Sequence, residues 1–218
     1  MVIKPILFNA EMVRATLDGR KNCTRRINKD ANDYVVPDMD FYDSDKRTYA
    51  VHNYADKEHT DKLSTAERTC PICPGDILYV RETWHKGLER YMYRADYSDT
   101  EKFYQGGKEI EMKWHPSIHM PKEAARIWLK VTDVRVEQLQ EINEDGAVKE
   151  GIYVANCKDC NAPFGCDTCP DEGYNEIDEF VELWDSTIKK SDLDRYGWDA
   201  SPWVWVIEFE RCEKPEGV

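Results

Sequence analysis

The sequence has no apolar run that could cross a bilayer. Its longest, Trp203-Val204-Trp205-Val206-Ile207, falls far short of the ~20 residues a spanning helix needs. The first residues lack a basic region followed by a long apolar stretch and a small-residue cleavage site, so no secretory signal is read and a cytoplasmic location is expected. No internal repeat is visible. Positive charge is also scarce: 30 Lys and Arg stand against 43 Asp and Glu in 218 residues, a formal net charge of −13. Broad, unspecific binding to polyphosphate needs many Lys and Arg to neutralise phosphates, so that class is disfavoured, although a small local basic site is not. Nor is this a disordered acidic tail, because 41% of residues are apolar and 11% aromatic, with seven Trp among them. A chain of this length can bury a sizeable core as a single domain with insertions.

The scarce positive charge is unevenly placed. The first thirty residues hold seven basic side chains (Lys4, Arg14, Arg20, Lys21, Arg25, Arg26, Lys29) against Glu11, Asp18 and Asp30, a local balance of +4. Within them, Ile3 to Phe8 reads as a short strand with Pro5 at a sheet edge. Asn9 is a candidate N-cap for a helix with Met12, Val13 and Leu17 on one face and Gly19 as its stop. Lys21 to Ile27 then reads as a short connection or strand. Residues 30–69 lack sustained periodicity and are read as a surface excursion, and 98–113 are again polar. Ile77 to Thr83 and Arg126 to Val136 alternate like strands, Tyr91 to Ala95 looks like another strand, and Trp203 to Phe209 reads as the final one. Asn143 is a candidate cap for a short helix stopped by Gly151, and Ile177 to Ile188 is an acidic amphipathic helix with Phe180, Leu183 and Trp184 inward. Several strands with few, short helices predict an α+β chain built as a small mixed barrel.

Two segments concentrate chemistry. Gly19-Arg20-Lys21-Asn22-Cys23-Thr24-Arg25-Arg26 places a lysine, a threonine hydroxyl and three arginines just beyond a backbone-freeing glycine. A partly desolvated Lys can act as a general base, a Thr hydroxyl is a nucleophile that needs one, and arginines suit phosphate or an oxyanion. A solvated basic turn is the plain alternative. Asp145-Gly146-Ala147-Val148-Lys149-Glu150-Gly151 sets a carboxylate at a helix C-terminus, where the helix dipole favours its protonated form. That suits Glu150 to proton donation, although a solvated glutamate before a helix-stopping glycine is the commoner case.

These segments, with Pro74-Gly75-Asp76 and the closing strand Val206-Ile207-Glu208-Phe209, resemble the ASCH domain family. The blocks Arg81-Glu82-Thr83-Trp84, Pro116-Ser117-Ile118-His119-Met120-Pro121, Val131-Thr132-Asp133-Val134-Arg135-Val136 and Trp198-Asp199-Ala200-Ser201-Pro202-Trp203 are similar to its phage and prophage branch. The resemblance runs in pieces from about Lys4 to Pro215. It leaves out 30–69, 98–113 and 153–175 as insertions in a single 1–218 domain. It implies a PUA-like fold, a small mixed β-barrel with peripheral short helices, and an association with RNA in a bacterial or phage-infected cell. Small bacterial members of the family hydrolyse N4-acetylcytidine. The likeness carries their nucleophile onto Thr24, their proton acceptor onto Lys21 and their proton donor onto Glu150, with no cofactor needed for catalysis. Arg20, Arg25 and Arg26 become candidates for binding substrate or RNA. The chain departs from the family pattern at Asn22 and Cys23, and at Arg25, where an apolar strand residue is common.

The eight cysteines, without a secretion signal, are better read as thiols or metal ligands than as disulfides. Cys157-x2-Cys160-x5-Cys166-x2-Cys169 can supply four thiolates to a closed, structural zinc, against the alternative of a reduced or redox-labile loop. Cys70-Pro71-Ile72-Cys73 reads as small apolar residues in a tight turn, and His115 and His119 as loop or pocket-lining residues rather than a metal pair. The expected partner is a nucleoside or RNA, with no membrane. The rival is a non-catalytic RNA-binding or protein-interaction module of phage or prophage origin. A third reading takes the acidic stretch 171–185 as a mimic of nucleic acid, against the plain reading of a solvated face.

Overall fold

The computed structural model describes residues 1–33, 36–43, 48–54, 62–88, 90–153 and 176–217. Strand β1 (Ile3–Leu7) leads into helix α1 (Ala10–Leu17), which Asn9 caps by accepting from Met12 N at 2.8 Å. Val13, Ala15 and Thr16 bury on the inner face of α1. Gly19, at φ +78°, ends the turn beyond it in a conformation that suits only a residue without Cβ. Strand β2 (Cys23–Ile27) starts soon afterwards.

Residues 30–69 do more than wander over the surface. They contain β3 (Val36–Asp43), β4 (Thr48–Tyr54) and β5 (Lys62–Thr69), an antiparallel sheet in that order. Its Tyr49 is buried and meets Trp205 edge-on at 5.0 Å between ring centroids. Next come β6 (Ile77–Arg81) and the pair β7 (Trp84–Lys86) and β8 (Tyr91–Tyr93). The polar stretch 98–113 carries a further hairpin of β9 (Phe103–Gln105) and β10 (Lys108–Ile110). Gly106 and Gly107 join these two strands with φ +59° and +76°, the positive angles a two-residue hairpin turn requires. The long strand β11 (Trp128–Gln138), helices α2 (Glu144–Lys149), α3 (Glu176–Thr187) and α4 (Leu193–Tyr196), and strand β12 (Trp203–Cys212) complete the order.

The architecture is α+β around one mixed five-stranded sheet, ordered β1-β6-β11-β12-β2. Strands β1 and β6 are parallel and the remaining pairs antiparallel. Pro5, which has no N–H to give, sits in β1 at the end of the sheet, as its chemistry requires.

The alternation along β12 feeds the two larger of the four apolar clusters. Trp205, Ile207 and Phe209 enter one, with Phe8, Val13, Leu78, Val80 and Leu129. Val204 and Val206 enter the other, with Leu139, Ala147, Phe180 and Trp184. A two-residue period puts successive side chains on opposite faces, and full burial of each large apolar one contributes roughly 1.5–3 kcal/mol. The same period governs β2, whose register sets Thr24 opposite Ile207, Arg25 opposite Val206 and Arg26 opposite Trp205. Thr24 and Arg26 therefore share the first face, and Cys23 and Arg25 the second. The two end strands approach without a ladder: Arg26 Nη2 donates to Leu7 O at 3.1 Å. Among the described residues, no helix is long and apolar enough to cross a membrane.

Candidate active site

The expected site residues gather around the start of β2 and the end of α2. Asn143 caps α2 by accepting from Gly146 N at 2.9 Å, and Glu150 forms the opposite cap. Gly151, at φ +93°, then turns the chain so closely past α1 that a Cβ there would stand 2.7 Å from Ala15 Cβ and 3.0 Å from Lys21 Cβ. That close approach brings Glu150 against Lys21, 129 residues earlier in the chain. Lys21 Nζ donates to Glu150 Oε2, to Glu150 O and to Cys23 O, each at 2.7 Å, with the Lys21 side chain 0% and the Glu150 side chain 4% exposed. Phe8 lies beneath the ammonium, its ring centroid 5.3 Å from Nζ.

Three acceptors and no donor around Nζ are the surroundings of an ammonium facing a carboxylate. Burial works against that state and pushes Lys21 below the ordinary lysine value, with Glu150 opposing the shift. Next to them the Cys23 thiol is pushed up to about 12, chiefly by burial and further by Glu150.

Thr24 is fully buried, and its Oγ1 accepts from Arg26 Nη1 at 2.8 Å. Among the described residues no hydrogen bond joins it to Lys21 or Glu150, so the structure brings two of the three expected catalytic side chains into contact and holds the third beside Arg26. The same Arg26 Nη1 donates to Arg25 O at 2.8 Å, so three N–H groups of Arg26, with the one given to Leu7 O, tie the guanidinium to its own chain. Arg26 is half-buried, and desolvation holds it below the ordinary arginine value while Glu150 pulls the other way. Arg25 is buried on the opposite face of the strand and reaches both Glu150 and Glu137.

A cleft of about 430 Å³ opens where the two ends of the sheet come together. Leu7, Phe8 and Met12 form one wall and Phe180, Leu183 and Trp184 the other, with Arg25, Arg26 and Glu150 between them. Lys21 and Thr24 stand behind this lining. Arg20 turns elsewhere: it donates to Gly151 O at 3.0 Å, pairs with Asp18 at 3.1 Å and lines a neighbouring pocket of about 280 Å³, which also reaches Glu150.

Sequence reasoning read Phe180, Leu183 and Trp184 only as an inward helix face. It found no sign that this face walls a cleft, because a hydrophobic stripe looks the same whether it meets a core or a ligand. Glu137 also went unmarked as a partner of Arg25. Cys157, Cys160, Cys166 and Cys169, together with the first part of the 171–185 stretch, lie outside the described residues, and the expected zinc rests on cysteine spacing alone. Cys23, Cys73 and Cys212 are free thiols, and no group of three or more metal-ligating side chains gathers among the described residues. His115 forms an isolated bridge with Trp84, and His119 ends a single 3-10 turn.

Comparison of the chain with protein-family models, with curated proteins and with solved structures returned no match.

Proposed function

We propose that this chain is an ASCH-type domain of PUA-like architecture that receives a modified nucleoside and hydrolyses its N4-acyl amide. One observation carries the reading: a buried lysine and a buried carboxylate touch at 2.7 Å, and the carboxylate lines a cleft of about 430 Å³, within the range of small-molecule sites. The mixed sheet, with its end strands drawn together at Arg26 and Leu7, supports the architecture.

The pair can supply both proton-transfer partners. In this scheme one proton passes from the Lys21 ammonium, whose charged state burial works against, to the Glu150 carboxylate, leaving an amine and an acid. A substrate that reaches past the cleft lining meets Thr24 Oγ1, which attacks the acyl carbonyl and gives its proton to the Lys21 amine. Glu150 protonates the departing N4 as the C–N bond breaks, leaving the acyl group as an ester on Thr24. Water hydrolyses that ester, releasing the carboxylic acid and restoring the hydroxyl. Arg26, hydrogen-bonded to Oγ1, is placed to favour the negative charge that develops there.

Incubation with N4-acetylcytidine is expected to release cytidine and acetate. Lys21→Ala and Thr24→Ala should each slow release by about a hundredfold or more, the scale of a lost base or nucleophile. No release by the unaltered chain would sink the enzymatic reading.

The rival, a module that binds RNA or a protein without chemistry, is favoured by one detail. Lys21 already spends its three donors, and among the described residues no hydrogen bond joins it to Thr24. On that reading Thr24→Ala leaves binding intact in a chain that turns nothing over, and binding of an RNA weakens steeply as salt is added.

A further inference from the structure

Arg25 is a buried charge that the proposed chemistry does not use. It stands where the family pattern favours an apolar residue, yet its side chain is only 3% exposed. A guanidinium so far from water calls for full hydrogen bonding. It does not receive it. Nη1 reaches Glu150 Oε1 at 3.4 Å and Nη2 reaches Glu137 Oε2 at 3.3 Å, both long contacts. Nε is buried with no partner among the described residues. The fold nonetheless makes room for the group: a Cβ on Gly146 would stand 3.3 Å from Nη2, and the guanidinium carbon lies 6.0 Å from the Phe180 ring centroid.

Arg25 and Glu150 both line the cleft, so it presents a fixed donor beside a fixed acceptor. Lys21 occupies one position on Oε2 and Arg25 one on Oε1. Each carboxylate oxygen has a second lone-pair direction to offer. A donor beside an acceptor complements a ring edge on which an amino group adjoins an acceptor. Cytosine has that edge, with a donating exocyclic amine next to an accepting N3 and O2. Uracil inverts it at two atoms, since O4 accepts and N3–H donates, and would set donor against donor and acceptor against acceptor.

We propose that Arg25 and Glu150 together read the base edge of a cytosine-type ring, Arg25 donating to N3 or O2 and Glu150 accepting from the exocyclic nitrogen. This rests on the N4-acyl-nucleoside reading of the cleft and adds to it which residues read the edge of the base and reject uracil. An N4-acylated ring keeps one N–H, so the contact to Glu150 forms before the amide is cleaved as well as after.

Calorimetric titration of the full chain with cytidine, uridine and the riboside of pyrimidin-2-one, which lacks the amine, tests the proposal. Cytidine should bind about tenfold or more tightly than uridine, with the pyrimidinone between them. Arg25→Lys keeps the charge but loses the planar fork, and should weaken cytidine about tenfold and erase the preference. A thermal melt of the variant shows whether it is folded; if it is not, the cytidine-to-uridine ratio of the unaltered chain still decides. Equal binding of cytidine and uridine, or a preference that survives Arg25→Lys, overturns the proposal and leaves the nucleobase reading standing. Failure of all three nucleosides to bind overturns both.

Discussion

Lys21 is surrounded by opposing demands. Burial expels its charge, while three oxygens at 2.7 Å call for it. A buried pair of this kind is weak evidence of net stabilisation, but removing one partner alone typically costs 3–5 kcal/mol because the other is left buried and uncompensated. Its neighbour Cys23 gives a cleaner readout. Folding raises the thiol from 9.0 to about 12, so as pH climbs through that window the unfolded chain gives up a proton that the folded chain keeps. The stability contributed is complete below pH 9 and falls above it, by at most ~1.4 kcal/mol per pH unit for one group. Lys21 acts in the opposite sense. Its folded value is lowered, so up to the unfolded value of 10.5 stability rises with pH as the folded chain sheds a proton that the unfolded one retains. Cys23→Ala removes the falling contribution, and denaturant unfolding between pH 9 and 10.5 should show a shallower loss of stability than in the unaltered chain. Identical slopes would mean the thiol is not shielded as described.

At the scale of elements, the turn after α2 is the narrowest tolerance in the site. Gly151→Ala meets both a left-handed φ and two carbon neighbours at 3.0 Å or less, one of them Lys21 Cβ. It is expected to destabilise the fold by roughly 1–3 kcal/mol, the usual cost of overpacking or backbone strain, and to lower amide hydrolysis by displacing Lys21. Thermal melting and the N4-acetylcytidine assay check this, and a variant unchanged in both would refute the tight-turn account. The helix ends here were legible in the sequence because caps are local chemistry: Asn9, Asn143, Gly19 and Gly151 each fill the place expected of them. The sheet of β3, β4 and β5 was not legible, since its strands carry no clean apolar alternation and are defined by pairing with one another. The β9–β10 hairpin left one usable signal, the Gly106-Gly107 pair. The contact of Lys21 with Glu150 spans 129 residues and no local pattern encodes it. The splitting of Thr24 and Arg25 onto opposite faces, by contrast, follows from strand alternation once β2 is taken as a strand.

For the molecule as a whole, the charge of −13 and the cleft fit together. The net charge disfavours a wide basic surface for a polymer, while Arg25 and Arg26 line a small cleft among aromatic and aliphatic side chains. Such an enclosure suits one base or nucleoside better than a long phosphate track. The cleft's position has a mechanical consequence as well. The five-stranded sheet has β1 and β2 at its two ends, the Arg26 side chain reaches from β2 to Leu7 O of β1, and both strands contribute to the cleft lining. An occupant of the cleft touches β1, β2 and α3 together, so occupancy and resistance to unfolding become one measurement. A nucleoside at a hundred times its Kd should add about 2.7 kcal/mol to the stability, raising the melting temperature by roughly 5–10 °C for a chain of this size. Arg26→Met, which unties the ends, should lower the melting temperature of the free chain and blunt that rise. The residue that meets the proposed nucleophile is thus also a link between the two end strands of the sheet.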